Sequence, residues 1–405
     1  MSQDVQVKTI EKADLCVSCG MCLPHCPTYQ LSRSEAESPR GRISLISALL
    51  KSSIEVDDTL LEHLDHCLMC RSCESSCPAR VPFAEIMDET RAYLKPSRPS
   101  PGFFRKALLS IAARKKHFRF FVALLNYTGV RRILARLYGS DARGMGRYGY
   151  FLSQLRFSKK RKQRYNSGSN HAHNVALFTG CVQEYFDQKS IENAIYVLNF
   201  LGVNVHVPDQ QQCCGSMHLH GGQDQQAGKM TNINSQVFNS QDIEAVVGLS
   251  SACTVTLAEA EKRSGRADLK YMDIVSYIES LSWPDKVRLN PIRKKILLHF
   301  PCTQQNVLKN TVATESFLRR IPGLQLEPQS GSNCCGAAGT YTLDYPEWSG
   351  QLKNSIVSGM RESQYDTIVT SNIGCAMQFR SLIDNNTVTE VCHPVDIMAQ
   401  ALSEK

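Results

Sequence analysis

The stretch "SGSNCCGAAGTY", residues 330–341, places Cys334 and Cys335 side by side with a glycine directly after them. The same tripeptide occurs earlier in the chain, in "QQQCCGSMH", residues 210–218. Adjacent cysteines rarely form a disulfide with each other, because the ring that they would close is strained. The recurrence of the pair therefore indicates a role for these thiols other than pairing with each other.

Around each pair the sequence repeats at an offset of 121 or 122 residues. "VALFTGC" and "ILLHFPC" end at a first cysteine, the doubled cysteine follows after 31 residues in both copies, and "LSSAC" or "SNIGC" supplies the last one. Three matched positions at a fixed offset indicate two copies of one module. The two sets of cysteines are Cys181, Cys213, Cys214 and Cys253, and Cys302, Cys334, Cys335 and Cys375.

Each module alternates predicted strands with predicted helices, which is typical of a parallel sheet. Helices are predicted in "SIENAIYVLNFLG" and "ATESFLRRIPG", which end at Gly202 and Gly323. The strands in "EAVVGLSSAC" and "DTIVTSNIGC" are expected to lead directly into the last cysteine of each module. Sites in parallel sheets form beyond the carboxyl ends of the strands, so we expect all eight cysteines at strand ends or in loops, with four thiols converging in each module.

Three interpretations of the eight thiols stay open. Four thiols at a repeated spacing favour a metal centre, and a redox-active disulfide is an alternative. The third interpretation is buried small residues, which is common for single cysteines but does not explain a doubled pair in both modules. Cys392 lies outside the pattern and is interpreted as inert, while His299 and His393 are interpreted as hydrogen-bonded histidines rather than ligands.

Two further cysteine runs occupy the first ninety residues. "CVSCGMCLPHCP" and "CLMCRSCESSCP" both read C-x2-C-x2-C-x3-C-P, the bacterial ferredoxin pattern for 4Fe–4S clusters. In this pattern three thiolates bind one cluster and the fourth reaches the neighbouring cluster, whereas zinc favours two separated CxxC knuckles. The predicted ligand sets are Cys16, Cys19, Cys22 and Cys77 for the first 4Fe–4S cluster, and Cys67, Cys70, Cys73 and Cys26 for the second.

The sequence between the two runs predicts helices, because Ile43, Ile46 and Leu49 recur at helical spacing. The first domain is therefore expected to be mainly α-helical. Two interpretations of Arg40 and Arg42 stay open: they donate to cluster sulfurs, or they form the solvated start of a helix.

The segment 101–165 holds 17 Lys and Arg against one acid, so it carries +16 while the remainder of the chain carries −8. Apolar residues at helical spacing, such as Phe104, Leu108 and Ile111, lie between its basic residues. This pattern suits helices on an anionic membrane surface, and it suits equally helices that pack on the protein with basic outer faces. Nucleic-acid binding is disfavoured, because no recognition helix or aromatic strand platform is predicted. Residues 158–174 are expected to form an exposed linker.

The cysteine count and the distribution of apolar residues exclude several classes of protein. The 17 cysteines are odd in number and clustered, which argues against a disulfide framework. The first residues contain no apolar run of the kind that a secretory signal needs, and no stretch approaches the roughly 18 apolar residues of a membrane-spanning helix. We therefore expect a cytoplasmic protein, with peripheral contact at the cytoplasmic face of the inner membrane as an open alternative.

The predicted fold class is mixed: a mainly α-helical ferredoxin-type domain with two 4Fe–4S clusters, followed by two repeated α/β cysteine-rich modules with parallel sheets. The predicted limits are 1–100 for the ferredoxin-type domain, 101–172 for the basic amphipathic connector, 173–290 for the first module and 291–405 for the second module.

This combination resembles the iron–sulfur subunit of bacterial glycolate oxidase over almost the whole chain. The segments "CPTYQL", "SPRGRI", "HLDHCLMCRSCESSCP", "CCGAAGTY" and "SNIGC" carry the resemblance. The same architecture occurs in the iron–sulfur subunit of anaerobic glycerol-3-phosphate dehydrogenase, in relatives of heterodisulfide reductase and in lactate-oxidising systems. The architecture is therefore more specific for a role than for a substrate.

The resemblance implies an electron-transfer subunit of an oxidoreductase complex. A separate FAD-containing 2-hydroxy-acid dehydrogenase subunit would oxidise glycolate, and this chain would pass the electrons to a quinone or another acceptor. No G-x-G-x-x-G follows a predicted strand, so no flavin is expected on this chain. The alternatives are a subunit of glycerol-3-phosphate or D-lactate oxidation, and a metal-stabilised scaffold without redox activity.

The chain departs from the family's fullest modules at one position of each copy. Those modules end in CxxC and supply five cysteines, whereas Ser250 and Asn372 replace the first cysteine of that pair here. Four cysteines per module still suffice for a 4Fe–4S cluster. We therefore expect one further iron–sulfur cluster in each module, or one in the second module only.

Overall fold

The computed structural model describes residues 3–98, 110–111, 114–139, 142, 144–158, 160–169, 172–265, 269–284, 287–329, 334–358, 365–384 and 388–402. The predicted apolar positions Phe104 and Leu108 lie outside these residues.

The ferredoxin-type domain is built from short helices, as the spacing of its apolar residues predicts. Helix α3 begins where Pro39 fits the first turn and the Ser38 side chain accepts a hydrogen bond from the Gly41 amide. The fully buried side chains of Ile46 and Leu64 lie in the core that the helices enclose. The described helices of this domain are α1 Gln3–Asp14, α2 Pro27–Ser32, α3 Pro39–Leu50, α4 Asp58–Asp65, α5 Ser72–Ser75 and α6 Phe83–Leu94.

The two ferredoxin-type cysteine loops share one backbone conformation. Ser18 and Gly20 have φ angles of 54° and 83°, and Met69 and Arg71, at the same steps of the second loop, have φ angles of 52° and 60°. Left-handed conformations are uncommon for residues other than glycine. Their recurrence at the same steps shows that both runs make the same turn, as a repeated motif requires.

The basic segment packs partly on the rest of the protein. Its described helices are α7 Lys115–Tyr127, α8 Val130–Leu137 and α9 Met145–Gln154. Phe118 and Val122 of α7 form a small apolar core with Tyr185 and Phe186 of the first module. None of the eight residues of α8 is buried. Among the helices of the described residues, none has both the length and the apolar character that crossing a membrane requires.

The two modules contain matching sheets. In the described residues, the first sheet has the strand order β1-β3-β2-β4-β5 and the second has β7-β6-β8-β9, with every pairing parallel except that of β1 with β3. The order β3-β2-β4-β5 therefore corresponds to the whole second sheet. The strands are β1 Arg164–Tyr165, β2 His173–Phe178, β3 Val203–His206, β4 Ala245–Gly248, β5 Tyr271–Asp273, β6 Lys295–His299, β7 Gln325–Pro328, β8 Thr367–Thr370 and β9 Glu390–Cys392.

Helices connect and cover these strands. A π-helical turn, Gln304–Leu308, follows β6. The described helices of the first module are α10 Gln183–Phe186, α11 Gln188–Phe200, α12 Ser216–His220, α13 Asp224–Asn239, α14 Ser251–Arg263 and α15 Ile274–Glu279. Those of the second module are α16 Thr311–Arg319, α17 Tyr341–Asp344, α18 Pro346–Ser358, α19 Ile373–Asp384 and α20 Pro394–Leu402.

Alternate residues of the first strand of each module face two different layers. Val175 and Leu177 of β2 lie in one large core that also contains Ile296 and Leu298 of β6, so this core spans both modules. The intervening residues of both strands lie in two smaller cores, one with Cys213 and Cys214 and the other with Cys335. Each sheet therefore has one face toward the other module and one face toward its thiols.

Polar contacts also join the modules. The Ser190 hydroxyl of α11 donates to Asp396 of α20 at 2.6 Å, and Asn193 donates to the same carboxylate at 2.7 Å. Arg380 of α19 donates to Asp187, at the start of α11, at 3.1 Å. The two copies therefore form one joined body around their shared core.

The predicted fold class is confirmed, and the placement of three cysteines is wrong. Cys302 lies in the short helical turn after β6. Strand β4 ends at Gly248 and β8 at Thr370, so Cys253 and Cys375 lie in the first turns of α14 and α19 instead of at strand ends. The strands β1, β5 and β9 are too short for an alternating pattern to predict. Strand β1 forms inside the expected linker because it pairs with the free edge of β3. The division of the chain at residues 100, 172 and 290 stays a prediction.

Candidate iron–sulfur sites

The first predicted ligand set lies at the surface of the ferredoxin-type domain. Cys19 is exposed, whereas Cys16, Cys22 and Cys77 are half-buried and pack against the helical core of this domain. Cys77 belongs to the second cysteine run in the sequence, yet it contacts the same core as Cys16 and Cys22. This arrangement is compatible with the predicted exchange of the fourth cysteine between the two runs.

The second predicted ligand set lines one small cavity of about 20 Å³. The cavity brings Cys26, from the first run, together with the first three cysteines of the second run, Cys67, Cys70 and Cys73. Burial raises the pKa of the Cys70 and Cys73 thiols well above the ordinary value. A bound cation favours the thiolate form of such buried groups, so the donors fit a metal cluster.

Arg42 neither donates to a described thiol nor begins a solvated helix. Its guanidinium is buried, and it donates to the Glu37 carboxylate, to the Glu37 carbonyl oxygen at 2.6 Å and to the Thr28 hydroxyl at 3.1 Å. The Thr28 hydroxyl lies 3.3 Å from the Cys26 sulfur. Arg42 therefore supports the second ligand set through Thr28.

The Glu37 carboxylate contacts two histidines as well as Arg42. Nδ1 of His63 and Nδ1 of His66 lie 2.7 Å and 2.8 Å from its Oε1 atom. Burial disfavours the charged carboxylate, but the hydrogen bond from His66, the charge of Arg42 and the hydrogen bond from His63 outweigh it, so the pKa of Glu37 is lowered. The carboxylate thus stays ionised inside the domain.

In each module the four cysteine side chains lie next to one another. In the first module the sulfurs of Cys181 and Cys213 are 3.4 Å apart, and those of Cys214 and Cys253 are 3.2 Å apart. The first module therefore brings its four thiols together, as predicted.

The thiols of the second module are arranged in the same way. The sulfurs of Cys335 and Cys375 are 2.7 Å apart, and the neighbouring Cys334 thiol, followed by burial, raises the pKa of Cys302. Gly336 allows the turn beside the pair: its φ is 78°, and a Cβ atom there would lie 2.9 Å from the Ser349 carbonyl oxygen.

All eight module thiols line one cavity of about 270 Å³. Its wall is mostly apolar and also includes Phe118 and Phe151 of the basic segment and Leu68 and Met69 of the second ferredoxin-type loop. The donor chemistry and the space fit iron–sulfur clusters, since soft thiolates are the ligands that such clusters use. The two modules therefore present their thiols to a common space.

The ferredoxin-type domain meets this site through the second module. Leu68 and Cys70 share an apolar core with Cys302 and Cys334. The Asn306 side-chain amide donates to the Cys70 carbonyl oxygen at 2.8 Å. The second ligand set and the thiols of the second module are therefore neighbours, which no local pattern in the sequence indicated.

His299 is a further residue at the thiol site of the second module. Its Nδ1 atom lies 3.0 Å from the Thr370 hydroxyl, so it is hydrogen-bonded as predicted. One of its ring nitrogens and the sulfurs of Cys335 and Cys375 also lie within 4.8 Å of one another. Burial lowers the pKa of His299 to about 3, which keeps the imidazole neutral. A residue-by-residue alignment of the two modules would have shown it, because Phe178 occupies the matching position.

The positions that lack a fifth cysteine have structural roles here. Asn372 accepts a hydrogen bond from the Gly374 amide at 2.9 Å, at the start of α19, and donates to the Ser251 hydroxyl at 3.3 Å. Ser250 is buried directly before α14. Asn372 thus stabilises a helix start and links the modules.

Comparisons with known proteins agree with this organisation. Residues 12–81 match the 4Fe-4S dicluster domain, and residues 175–258 and 296–380 match the cysteine-rich domain CCG. The glycolate oxidase iron-sulfur subunit of Escherichia coli K12 is 30% identical, over 96% of this chain and 94% of that protein. The chain belongs to the glycolate oxidase iron–sulfur subunit family. It is accordingly an iron–sulfur protein with an electron-transfer role in an oxidoreductase complex.

Two further relatives show how far this family assignment reaches. The probable glycolate oxidase iron-sulfur subunit of Bacillus subtilis 168 is 25% identical, over 96% of this chain and 94% of that protein. A subunit of the anaerobic glycerol-3-phosphate dehydrogenase of Escherichia coli K12 is 30% identical, but over only 56% of this chain and 59% of that protein. Of these three relatives, the two glycolate oxidase subunits match over nearly the full length of both proteins.

Proposed function

We propose that this chain carries electrons from an FAD-containing subunit that oxidises glycolate to a quinone or another acceptor. The observation that supports this proposal is the placement of the thiols: Cys19 is exposed at the surface, half-buried Cys70 lies beside the thiols of the second module, and the eight module thiols line one cavity. Iron–sulfur clusters, when bound, transfer single electrons, which suits a flavin that releases two electrons one at a time. Glycolate is the favoured substrate because full-length similarity is to glycolate oxidase subunits.

The proposed ligand sets keep the exchange between the two runs. Cys16, Cys19, Cys22 and Cys77 would hold the first 4Fe–4S cluster, and Cys67, Cys70, Cys73 and Cys26 the second. The common cavity of the second set supports this assignment. In the modules, the two sets of four thiols would hold further iron–sulfur clusters.

The flavoprotein is proposed to dock on the loop around Cys19. Leu15, Val17 and Met21 flank this exposed cysteine and are themselves 50%, 70% and 56% exposed. Exposed apolar side chains gathered at one loop are typical of a protein–protein contact. The first ligand set would then lie directly beneath the partner subunit.

Co-purification from native cells tests the proposed function, because the partner identifies the substrate. We expect a flavoprotein to accompany the chain, and glycolate to bleach the iron–sulfur absorption of the isolated complex under anaerobic conditions. Bleaching by glycerol-3-phosphate or D-lactate, with no response to glycolate, would favour those alternative functions. No bleaching by any of the three would favour the scaffold without redox activity.

Iron content tests the proposed clusters in the modules. The two ferredoxin-type sets account for eight iron atoms, since each cluster contains four. We expect anaerobically purified protein to contain about four to eight iron atoms beyond these, with matching sulfide. A total of eight iron atoms per chain would contradict the module clusters and leave only the ferredoxin-type sites.

Peripheral membrane binding through α7 and α8 is proposed as the route to a quinone. Phe120, Leu124 and Tyr127 of α7 are 72%, 52% and 81% exposed, and Ile133 and Leu137 of α8 are 54% and 66% exposed. Both stripes follow helical spacing, and basic residues lie between them. An amphipathic helix with basic flanks suits the interface of an anionic bilayer.

Vesicle sedimentation tests this contact. Replacing exposed Arg132 and Arg136 by Gln should weaken binding to phosphatidylglycerol vesicles roughly thirtyfold, since each basic side chain near an anionic surface contributes about 1 kcal/mol. Replacing Ile133 and Leu137 by Ser should weaken it further. The control is Val312→Ser, which replaces an apolar residue of the second module that is even more exposed, at 78%, and should leave binding unchanged. Equal sedimentation of all variants would exclude membrane contact through α8.

A further inference from the structure

The last residue of the first strand differs in chemistry between the two modules. Phe178 ends β2 in the first module, and His299 ends β6 at the matching position of the second. Phe178 lies in an apolar core with Cys213 and Cys214. An imidazole in the same buried place costs free energy unless its polar atoms find partners. The second module must therefore supply partners that the first does not need.

Only one nitrogen of His299 has a partner among the described residues. Nδ1 lies 3.0 Å from the Thr370 hydroxyl, and Phe379 packs edge-on against the ring with 4.8 Å between ring centres. The side chain is 1% exposed, yet Nε2 has no hydrogen-bond partner in the described part of the chain. A ring nitrogen of His299 lies within 4.8 Å of the sulfurs of Cys335 and Cys375. The imidazole therefore lies at the thiol site, and Nε2 is the ring nitrogen that is left without a hydrogen bond there.

We propose that His299 binds the metal centre of the second module through Nε2, beside Cys335 and Cys375. When Nδ1–H donates to Thr370, Nε2 carries the lone pair that a metal needs, and the hydrogen bond fixes the ring orientation. This inference rests on the proposed iron–sulfur centre of the second module, but not on the identity of the substrate.

His299 makes the donor sets of the two modules unequal. The second module offers five donors, four thiols and one imidazole, although Asn372 replaces the cysteine that would have been the fifth. The first module offers four thiols beside Phe178, and among the described residues no histidine of that module forms a comparable group with two of its thiols. Because neutral imidazole in place of thiolate raises the reduction potential of an iron–sulfur centre, His299→Cys should lower the potential of the second centre.

Pulsed electron paramagnetic resonance on the anaerobically purified full-length protein tests the ligand directly. We expect a nitrogen hyperfine coupling that changes when the histidines are labelled with nitrogen-15. His299→Phe, which copies the first module, should abolish the coupling and lower the iron content. The matched control is His218→Phe: His218 is also buried, its Nδ1 has no hydrogen-bond partner in the part of the chain that the structure describes, and it lies near Cys213 of the first module. This control should keep the coupling.

The possible outcomes distinguish failure of the proposal for His299 from failure of the proposed function. Absence of the coupling in oxidised and reduced wild-type protein would overturn the inference, and this measurement needs no variant. Loss of the coupling in His218→Phe, or its persistence in His299→Phe, would also overturn it. A total of eight iron atoms would remove the module centres altogether, whereas more than eight without a coupling would remove His299 alone. Should His299→Phe fail to fold, His299→Cys keeps a donor and is expected to retain iron without the coupling.

Discussion

Cys22→Ser is expected to stop electron delivery by the complex while the proposed flavoprotein partner still reduces an artificial dye. Cys22 is half-buried with Cys16 against the helical core, where a serine hydroxyl is a much poorer ligand for iron than a thiolate. The two activities are measured side by side on purified complex, with a soluble quinone and with a dye that accepts electrons directly from flavin. Quinone reduction should fall to background and the iron content should drop by about four atoms per chain.

Cys392→Ala is the matched control for this variant. Cys392 is also a free cysteine, but it lies in β9 and belongs to neither the ferredoxin-type sets nor the module sets. We expect this control to keep its iron and its quinone reduction. Equal loss of dye reduction in Cys22→Ser would show that the chain does more than carry electrons. Unchanged quinone reduction would exclude Cys22 from the first ligand set.

Local spacing predicts those parts of the fold that depend on residues close in sequence. The turn of each ferredoxin-type loop depends on steps such as Ser18 and Met69, which lie between cysteines of one run. The helix α3 begins at Ser38 and Pro39, and its apolar spacing marks its buried face. The parallel sheets follow from the alternation of strands and helices. These features need no knowledge of distant contacts.

The common cavity was not predictable from spacing, because it depends on contacts between segments far apart in the chain. Leu68 lines it together with Cys181 and Cys375, although more than one hundred residues separate each of these from the next. The helical positions of Cys253 and Cys375 were missed for a related reason. The strands before them end five residues earlier, and the polar residues Ser250 and Asn372 lie directly before the helices that follow.

His299 shows what the repeat itself contains beyond its cysteines. The matched cysteines establish the two modules, but the positions at which the copies differ indicate where their chemistry differs. His299, which matches Phe178 of the first module, is such a position. Because His299 is buried, its ring nitrogens need binding partners inside the protein. An alignment of the two copies thus predicts a chemical asymmetry, whereas only the fold shows that it faces Cys335 and Cys375.

A network of polar side chains links the second ligand set to the second module. Arg42 contacts Thr28 beside Cys26, and Arg42 and His66 both contact Glu37. The His66 ring in turn stacks on Trp348 of the second module, with 4.3 Å between ring centres. The same buried charges therefore support the thiols and position the interface between the domains.

Arg42→Met is expected to destabilise the ferredoxin-type domain by about 3–5 kcal/mol, because it leaves the buried Glu37 carboxylate without its cationic partner. The matched control is Arg40→Met, two residues away in the same helix, whose pair with Glu35 is solvent-exposed and should contribute little. Urea unfolding is followed by circular dichroism and by iron–sulfur absorption. In Arg42→Met both transitions should move to lower urea, and the second ligand set should lose iron first because Thr28 and Cys26 lose their support.

A shift of the same size in Arg40→Met would show that the charge of the helix start matters rather than the buried pair. Full stability of Arg42→Met would mean that His63 and His66 alone satisfy Glu37.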